Sequence, residues 1–303
     1  MAGGSRALKL SIIIAAQDAG PHLNQCVAAA VTQLPPAEME ILVVDGSGKP
    51  ELEQWIRAFP SARLIVGAPQ SNVPQLWRAG IEAARGRIVA LTIENCVPAP
   101  DWARRMLAAH EADWAGVGGA IEMAREARLA DWAVYFSRYS NYMLPFAPRV
   151  LDDLAGDNCS YKCEALDRVQ GQTGDGFWET FLHYDMRHRK ERLLCDPSPV
   201  VTYRGGLTAW RFFRRRYIHG RYFAARRGRA FTLPQRLMRA AGFVAVPPLL
   251  LNRMARRVWK NGRHRSKFVA ALPLVIAFLL AWACGECVGY TLGPSGTGAP
   301  GRD

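Results

Sequence analysis

Four short apolar runs, each followed by a stretch with helical spacing, fill the first 110 residues, and this alternation constrains the fold more than any other feature. The runs are Leu8–Ala16 (LKLSIIIAA), 40–44 (EILVV), 63–67 (RLIVG) and 87–91 (RIVAL). They are short and rich in isoleucine, valine and leucine, as strands buried on both faces of a sheet must be. After the first run, 22–33 places Leu23, Cys26, Val27, Ala30 and Val31 on one helical face. The Pro35-Pro36 pair ends that helix. Helices are also predicted at 50–59, 73–85 and 101–110, with Gly86 expected as the C-terminal cap of the 73–85 helix.

A repeat of this kind predicts an α/β fold with a doubly wound, mostly parallel sheet. Ligands of such sheets sit beyond the carboxyl ends of the strands. The loops at that edge are 17–19, 45–48 and 92–96, and each carries carboxylates or amides. Further along, 116–121 reads as a strand, 132–143 is aromatic-rich, 158–161 reads as a strand end and 177–190 as a helix.

The net charge of +13 is unevenly placed. Residues 1–196 carry 20 Lys/Arg and 24 Asp/Glu, whereas 197–285 carry 18 Lys/Arg and no acid. The second block calls for an anionic partner, either nucleic acid or lipid headgroups. No nucleic-acid module precedes the Arg/aromatic segment 210–229, so no nucleic-acid partner is expected. The seven cysteines follow no framework spacing, which predicts reduced thiols in the cytosol. The first apolar run is too short for a secretory signal, so the N-terminal domain is expected to stay on the cytoplasmic side.

The C-terminal region differs in kind. Residues 240–251 are apolar but too few to cross a bilayer, 252–267 hold seven Lys/Arg, and 268–285 are eighteen residues without a charge. The expected arrangement places 240–251 in the membrane interface, the basic segment on anionic headgroups, and 268–285 as a candidate transmembrane helix. A buried core helix is the alternative for 268–285.

The blocks LSIIIAAQDAGPHLNQCVAAAVTQ and EILVVDGSG resemble the opening of the family 2 inverting glycosyltransferases, which have a GT-A-type fold. The block SNVPQLWRAGIEAARGRIVALTIENCVPAPDWARRML is similar to the family's next segment, which leads to an acidic metal-binding motif. The tail WACGECVGYTLG resembles that of membrane-associated members.

The resemblance implies roles for particular residues. Asp45, at the end of the second strand, would accept a hydrogen bond from the nucleobase; an Asp-Gly turn former is the structural alternative. Asp18 stands where the family has a turn Asn and would touch ribose or base. Arg78 would help hold the diphosphate, or be a solvated helix arginine. Glu179, with Asp175 second, matches the catalytic base that deprotonates the acceptor hydroxyl, although both also suit a helix N-terminus. Asn158 and Trp178 would line the acceptor side, Asn158 by hydrogen bonds, with a turn-forming Asn as the alternative, and Trp178 by stacking on a sugar. His183 and His188 read as solvated helix residues, and Arg214, Arg215 and Arg216 as contacts to diphosphate or lipid.

The departure lies at the metal motif. The family has Asp-x-Asp where this chain has Ile93, Glu94 and Asn95. Three readings follow: a divalent cation (Mg or Mn) bound through Glu94 with Asn95, water and phosphate, a metal-independent transferase that uses its arginines, or an inactive relative.

The sequence therefore predicts a GT-A-like domain over 1–230 and a basic, hydrophobic membrane-associating tail over 231–303. The expected function is transfer of a sugar from a nucleotide-sugar donor to a carbohydrate or lipid-linked acceptor, with inversion. The partners would be that donor, that acceptor and membrane lipids. The alternative is a non-catalytic nucleotide-sugar-binding or membrane scaffold protein with a decayed metal motif.

Overall fold

The structure, a computed structural model, describes residues 8–169 and 176–293. Asp175, the second catalytic candidate, lies outside the described residues. The isoleucine run forms the central strand β1 (Leu8–Ala16), in which Ile12, Ile13 and Ile14 are all fully buried. The chain continues through α1 (Leu23–Val31), β2 (Met39–Asp45), α2 (Glu51–Ile56), β3 (Ala62–Val66), α3 (Val73–Ala83) and β4 (Gly86–Ile93). Then come β5 (Cys96–Pro98), α4 (Trp102–Ala109), β6 (Gly116–Met123), α5 (Leu129–Tyr139), β7 (Arg149–Val150), β8 (Asn158–Lys162) and α6 (Cys163–Arg168). The last elements are α7 (Glu179–His188), β9 (Leu193–Tyr203), α8 (Ala209–Gly228), α9 (Leu233–Ala241), a 3-10 turn (Gly242–Val244), α10 (Val246–Asn261) and α11 (Arg265–Leu292).

The strands form one sheet in the order β3-β2-β1-β4-β8-β6-β9-β5, with β7 beside β9. Strands β1 to β4 are parallel, and β8 joins β4 antiparallel. The strand order runs outward from β1 to β3 and then jumps back to β4, so the reversal point lies between β1 and β4. Register makes three strand ends level: Ala16 pairs with Asp45, and Ala15 with Ile93. That is the crevice where such sheets bind ligands.

Gly86 is not a helix cap. Helix α3 ends at Ala83 with an extended Ala84, and Gly86 opens β4. A Cβ there would lie 2.5 Å from the Ser11 backbone nitrogen, so the glycine serves close strand approach. Strand β9 contains Pro197 and Pro199, residues that argue against a strand. Its pairing with β5 uses only 201–203, beyond both prolines.

The chain forms two compact units: Met1–Glu122 with Leu144–Arg204, and Met123–Met143 with Gly205–Asp303. Among the described residues the nine strands lie in the first unit, save Met123 at the end of β6, together with α1 to α4, α6 and α7. Helix α8, placed by sequence with the N-terminal domain, groups with the C-terminal helices. Its small residues explain why: a Cβ on Gly220 would lie 2.4 Å from the Trp282 carbonyl oxygen on α11. Among the described residues, α11 is long and apolar enough to cross a membrane, and 44% of its most apolar window is buried by packing.

Candidate active site

The site is built from the level strand ends. Asp45 closes β2 and is buried. Its Oδ1 accepts the Ser47 N–H at 2.7 Å and its Oδ2 the Gly48 N–H at 3.2 Å. This turn orients the carboxylate within the Asp45–Gly48 loop, and Gly48 takes a left-handed φ of 68° that suits glycine.

Glu94 follows β4 directly and its backbone N–H donates to the Ala15 carbonyl. Its side chain reaches back across the crevice. Oε1 accepts the Asp18 N–H at 2.8 Å and Oε2 the Gly20 N–H at 2.6 Å. Burial pushes the Glu94 carboxyl up, opposed by these two amides; the Asp18 charge raises it further and Lys49 lowers it. Between the two bonded amides, Ala19 sits at φ 43°, a conformation that costs a non-glycine residue about 1–2 kcal/mol. Lys49 fastens the same loop by donating to the Ala19 carbonyl at 3.0 Å. Sequence reading did not single out Lys49; its place four residues after Asp45 was the available signal. A cavity of about 220 Å³ opens here, lined in part by Gly20, Asn24, Lys49, Leu52 and Trp55.

This arrangement bears on the metal motif. A hard divalent cation takes several oxygen ligands, preferably with carboxylates among them. Here the one carboxylate is buried and already accepts two backbone amides, and the Asn95 side chain is neutral. The Asn95 carbonyl accepts the Arg204 N–H at 2.8 Å. No group of three His, Cys, Asp or Glu suited to a metal occurs among the described residues. The Glu94 and Asn95 donor set, as arranged, does not fit such an ion, and Glu94 acts as a clasp on the β1–α1 loop.

Glu179 opens α7, where a negative charge is favoured by the helix N-terminus. A Cβ on Gly156 would meet the Trp77 ring at 2.5 Å and the Glu179 carboxyl carbon at 3.1 Å. Trp77 in turn donates its indole N–H to the Thr92 carbonyl at 3.0 Å, two residues before Glu94. Glu179 is thereby joined, through Gly156 and Trp77, to the β4 end of the crevice. The preceding segment is tied to α3 by the Phe177 N–H donating to the Pro74 carbonyl at 2.8 Å.

The other candidates are placed differently. Asn158 is fully buried: its Oδ1 accepts from the Trp102 indole at 2.7 Å, and its Nδ2 donates to the Ala120 and Pro199 carbonyls at 2.7 and 3.0 Å. Its amide oxygen and both amide hydrogens are engaged in the sheet interior. Trp178 is also buried, so stacking on a sugar would require it to leave that position. Arg78 pairs with Glu82 at 2.7 Å, one helical turn further from the strand ends. Arg214, Arg215 and Arg216 lie on α8, in the second unit.

His183 was expected in solvent and is buried. Its neighbours Leu182 and Met186 form the inward stripe of α7, and His183 falls on it. Its Nε2 hydrogen-bonds the Tyr161 hydroxyl at 2.7 Å, and Nδ1 contacts the Asp153 carboxylate, so burial leaves neither ring nitrogen unsatisfied. His188 is exposed, as expected. All seven cysteines are free.

An open sheet with acids at its reversal point, extended by antiparallel strands, is the GT-A type of fold. Residues 11–170 match the family described as Glycosyl transferase family 2, more than half of the chain, and the protein belongs to that family. Mannosyltransferase PcManGT from Pyrobaculum calidifontis, solved with GDP-Man and Mn2+, superposes with a TM-score of 0.61 at 16% identity, covering 92% of this chain and 86% of that one. GalNAc-T7 with UDP, GalNAc and Mn2+ superposes with a TM-score of 0.53 at 17% identity over 74% of this chain, which spans 51% of that structure's length. At these identities the likeness is one of fold. No curated protein matches the sequence.

Proposed function

We propose that the protein transfers a sugar from a nucleotide-diphosphate donor to an acceptor hydroxyl, with inversion at the anomeric carbon. The observation that carries this reading is the convergence of Asp18, Asp45 and Glu94 at the reversal point of a family 2 sheet. Asp45 accepts a hydrogen bond from the nucleobase, and Asp18 faces the ribose or base. Lys49 and Arg78 are the proposed cationic partners of the diphosphate. Arg78 would give up its partly exposed pair with Glu82, a contact of about 0.3–0.5 kcal/mol.

Glu179 removes the proton from the acceptor hydroxyl as that oxygen bonds to the anomeric carbon. The bond from that carbon to the donor phosphate oxygen breaks at the same time, and the nucleoside diphosphate leaves with its electron pair. Both of these structural neighbours were solved with Mn2+, but no step of this reading runs through a metal, because the Glu94 and Asn95 set does not fit one. Hexosyl transfer to a carbohydrate or lipid-linked acceptor suits a protein on the cytoplasmic face of a membrane. The basic block 197–285 and the free thiols support that location.

The second reading is a nucleotide-sugar-binding scaffold, favoured by the engagement of Glu94 as a clasp. Release of nucleoside diphosphate from UDP- and GDP-sugars in the presence of membrane extract separates the two. Turnover abolished by Glu179→Gln supports transfer; donor binding without turnover supports the scaffold.

A further inference from the structure

Helix α9 exposes its large apolar residues. Leu233, Leu237 and Met238 are 62%, 51% and 69% exposed, while Ala240 is its one buried residue. Of its two arginines, Arg236 is half-buried and turned toward protein, while Arg239 stays exposed. Arg236 donates to the Tyr290 carbonyl at 2.8 Å and to the Thr291 carbonyl at 3.3 Å, and Arg239 lies over the Phe231 ring at 4.1 Å. A nine-residue helix facing water would turn Leu233, Leu237 and Met238 inward and leave Arg236 in solvent. The pattern continues past the helix: Phe243, Val244 and Leu249 are exposed, and 240–252 contains no charge. Directly after it, 253–267 holds seven Lys/Arg and no acid.

Helix α11 is the second part of the argument. It runs beside α8, which carries seven arginines. A Cβ on Gly285 would lie 2.1 Å from the Tyr217 carbonyl oxygen, and one on Gly289 2.3 Å from that of Arg221. Phe212 meets Phe278 edge-on at 4.7 Å. Arg216 covers the Trp282 ring at 4.1 Å, and Arg227 pairs with Glu286 at 3.7 Å. Moving α11 across a bilayer would carry the α8 arginines into hydrocarbon or strip these close contacts, and both are unfavourable.

We propose that residues 233–249 form a wedge lying in the plane of a membrane with anionic headgroups. The outward leucines, Met238 and Val244 enter one leaflet, the basic residues 253–267 meet lipid phosphates, and α11 stays as the packed spine of its unit without spanning. Apolar insertion and basic contact reinforce each other in such a device. This rests on the membrane association proposed above and replaces the transmembrane reading of 268–285.

Flotation of the full-length chain with vesicles tests it. Wild type is expected to float with vesicles containing 30% phosphatidylglycerol and at least tenfold less with pure phosphatidylcholine. The triple substitution Leu237→Glu, Met238→Glu, Val244→Glu is expected to lower flotation at least tenfold. UDP or GDP binding and circular dichroism of the same preparation, unchanged from wild type, show that fold and donor site survive, so this result stands apart from the fate of the transferase reading. A C-terminal tag on membranes from expressing cells is expected to be cut by protease from the side that exposes the N-terminal unit. Protection of the tag would overturn the in-plane arrangement. Undiminished flotation of the triple variant, or a dimer broken by it without vesicle binding by wild type, would overturn the wedge.

Discussion

Glu94 holds Asp18 across the crevice through a 2.8 Å hydrogen bond from the Asp18 backbone N–H to Oε1, and its other oxygen takes the Gly20 N–H at 2.6 Å. The pair joins the end of β4 to the loop after β1 and fixes the left-handed Ala19 between them. An acid at the family's metal-motif position thus shapes the donor-side loop.

Glu94→Ala leaves two amides without their acceptor. The expected loss of stability is about 1–3 kcal/mol by urea denaturation. Glu94→Gln keeps one acceptor oxygen and should fall between. Nucleotide affinity should drop in the same order, and wild-type affinity should not change on adding Mn2+. A Glu94→Ala protein as stable as wild type would remove the clasp.

Asn158 links three parts of the sheet interior through Trp102, Ala120 and Pro199. Asn158→Ala would remove the acceptor of the buried Trp102 indole and the donor to two carbonyls, an expected loss of about 2–4 kcal/mol. Asn158→Asp keeps the Trp102 acceptor but buries a charge against two carbonyls, and is expected to be no better tolerated. Thermal melts of both variants check this. A stable Asn158→Ala protein with impaired turnover would instead favour an acceptor role.

Glu179→Gln keeps the size of the side chain at the start of α7 and removes the basic carboxylate. Turnover should fall about 10²–10⁴-fold with donor affinity within about twofold of wild type. Steady-state rates and calorimetry on one preparation measure both. Retained turnover would move the base elsewhere, and Asp175 would then be the next residue to change.

His110 gives the fold a pH dependence. Its ring is buried against Ser160 at 2.9 Å, and burial, with Lys162 nearby, pushes its pKa down from 6.5 to about 4. The folded state therefore resists the proton that the unfolded chain accepts. Its contribution to stability is complete above pH 6.5 and is lost as pH falls toward 4. The span corresponds to about 3 kcal/mol. Urea midpoints of wild type should fall between pH 7 and pH 4.5 by more than those of His110→Gln. Equal slopes would place the ring's titration elsewhere.

Most of the β1–α4 portion was legible because period and length settle a buried strand from its own residues, but β3 proves to be a partly exposed edge strand and the three-residue β5 falls where a loop was expected. Leu8–Ala16 and Val73–Ala83 begin where their sequences predict. Gly86 was misread because a glycine after a helix also suits a strand that must approach another backbone, and only β1 shows which. His183 shares a helical face with Leu182 and Met186, a signal present in the sequence; its satisfaction by Tyr161 and Asp153 was not, since those partners are distant in the chain. The same limit applies to Asn158, whose Trp102 partner lies 56 residues away. The strand-end acids were found from position, but the partners of Glu94 belong to another loop and emerge only from the fold.

The central claim is that Asp45 holds a nucleoside at the end of β2. The most direct measurement is calorimetric titration of the detergent-purified full chain and of Asp45→Asn with UDP, GDP and the other nucleoside diphosphates. Asparagine retains the Oδ1 acceptor of the Ser47 turn at 2.7 Å and replaces Oδ2, which takes the longer 3.2 Å bond from Gly48, with an amide nitrogen that cannot accept from a base. The account predicts that wild type binds one of these nucleotides and that Asp45→Asn, equally folded, binds it at least tenfold more weakly. Equal affinity in the two proteins, or no binding of any nucleotide by wild type, would contradict it.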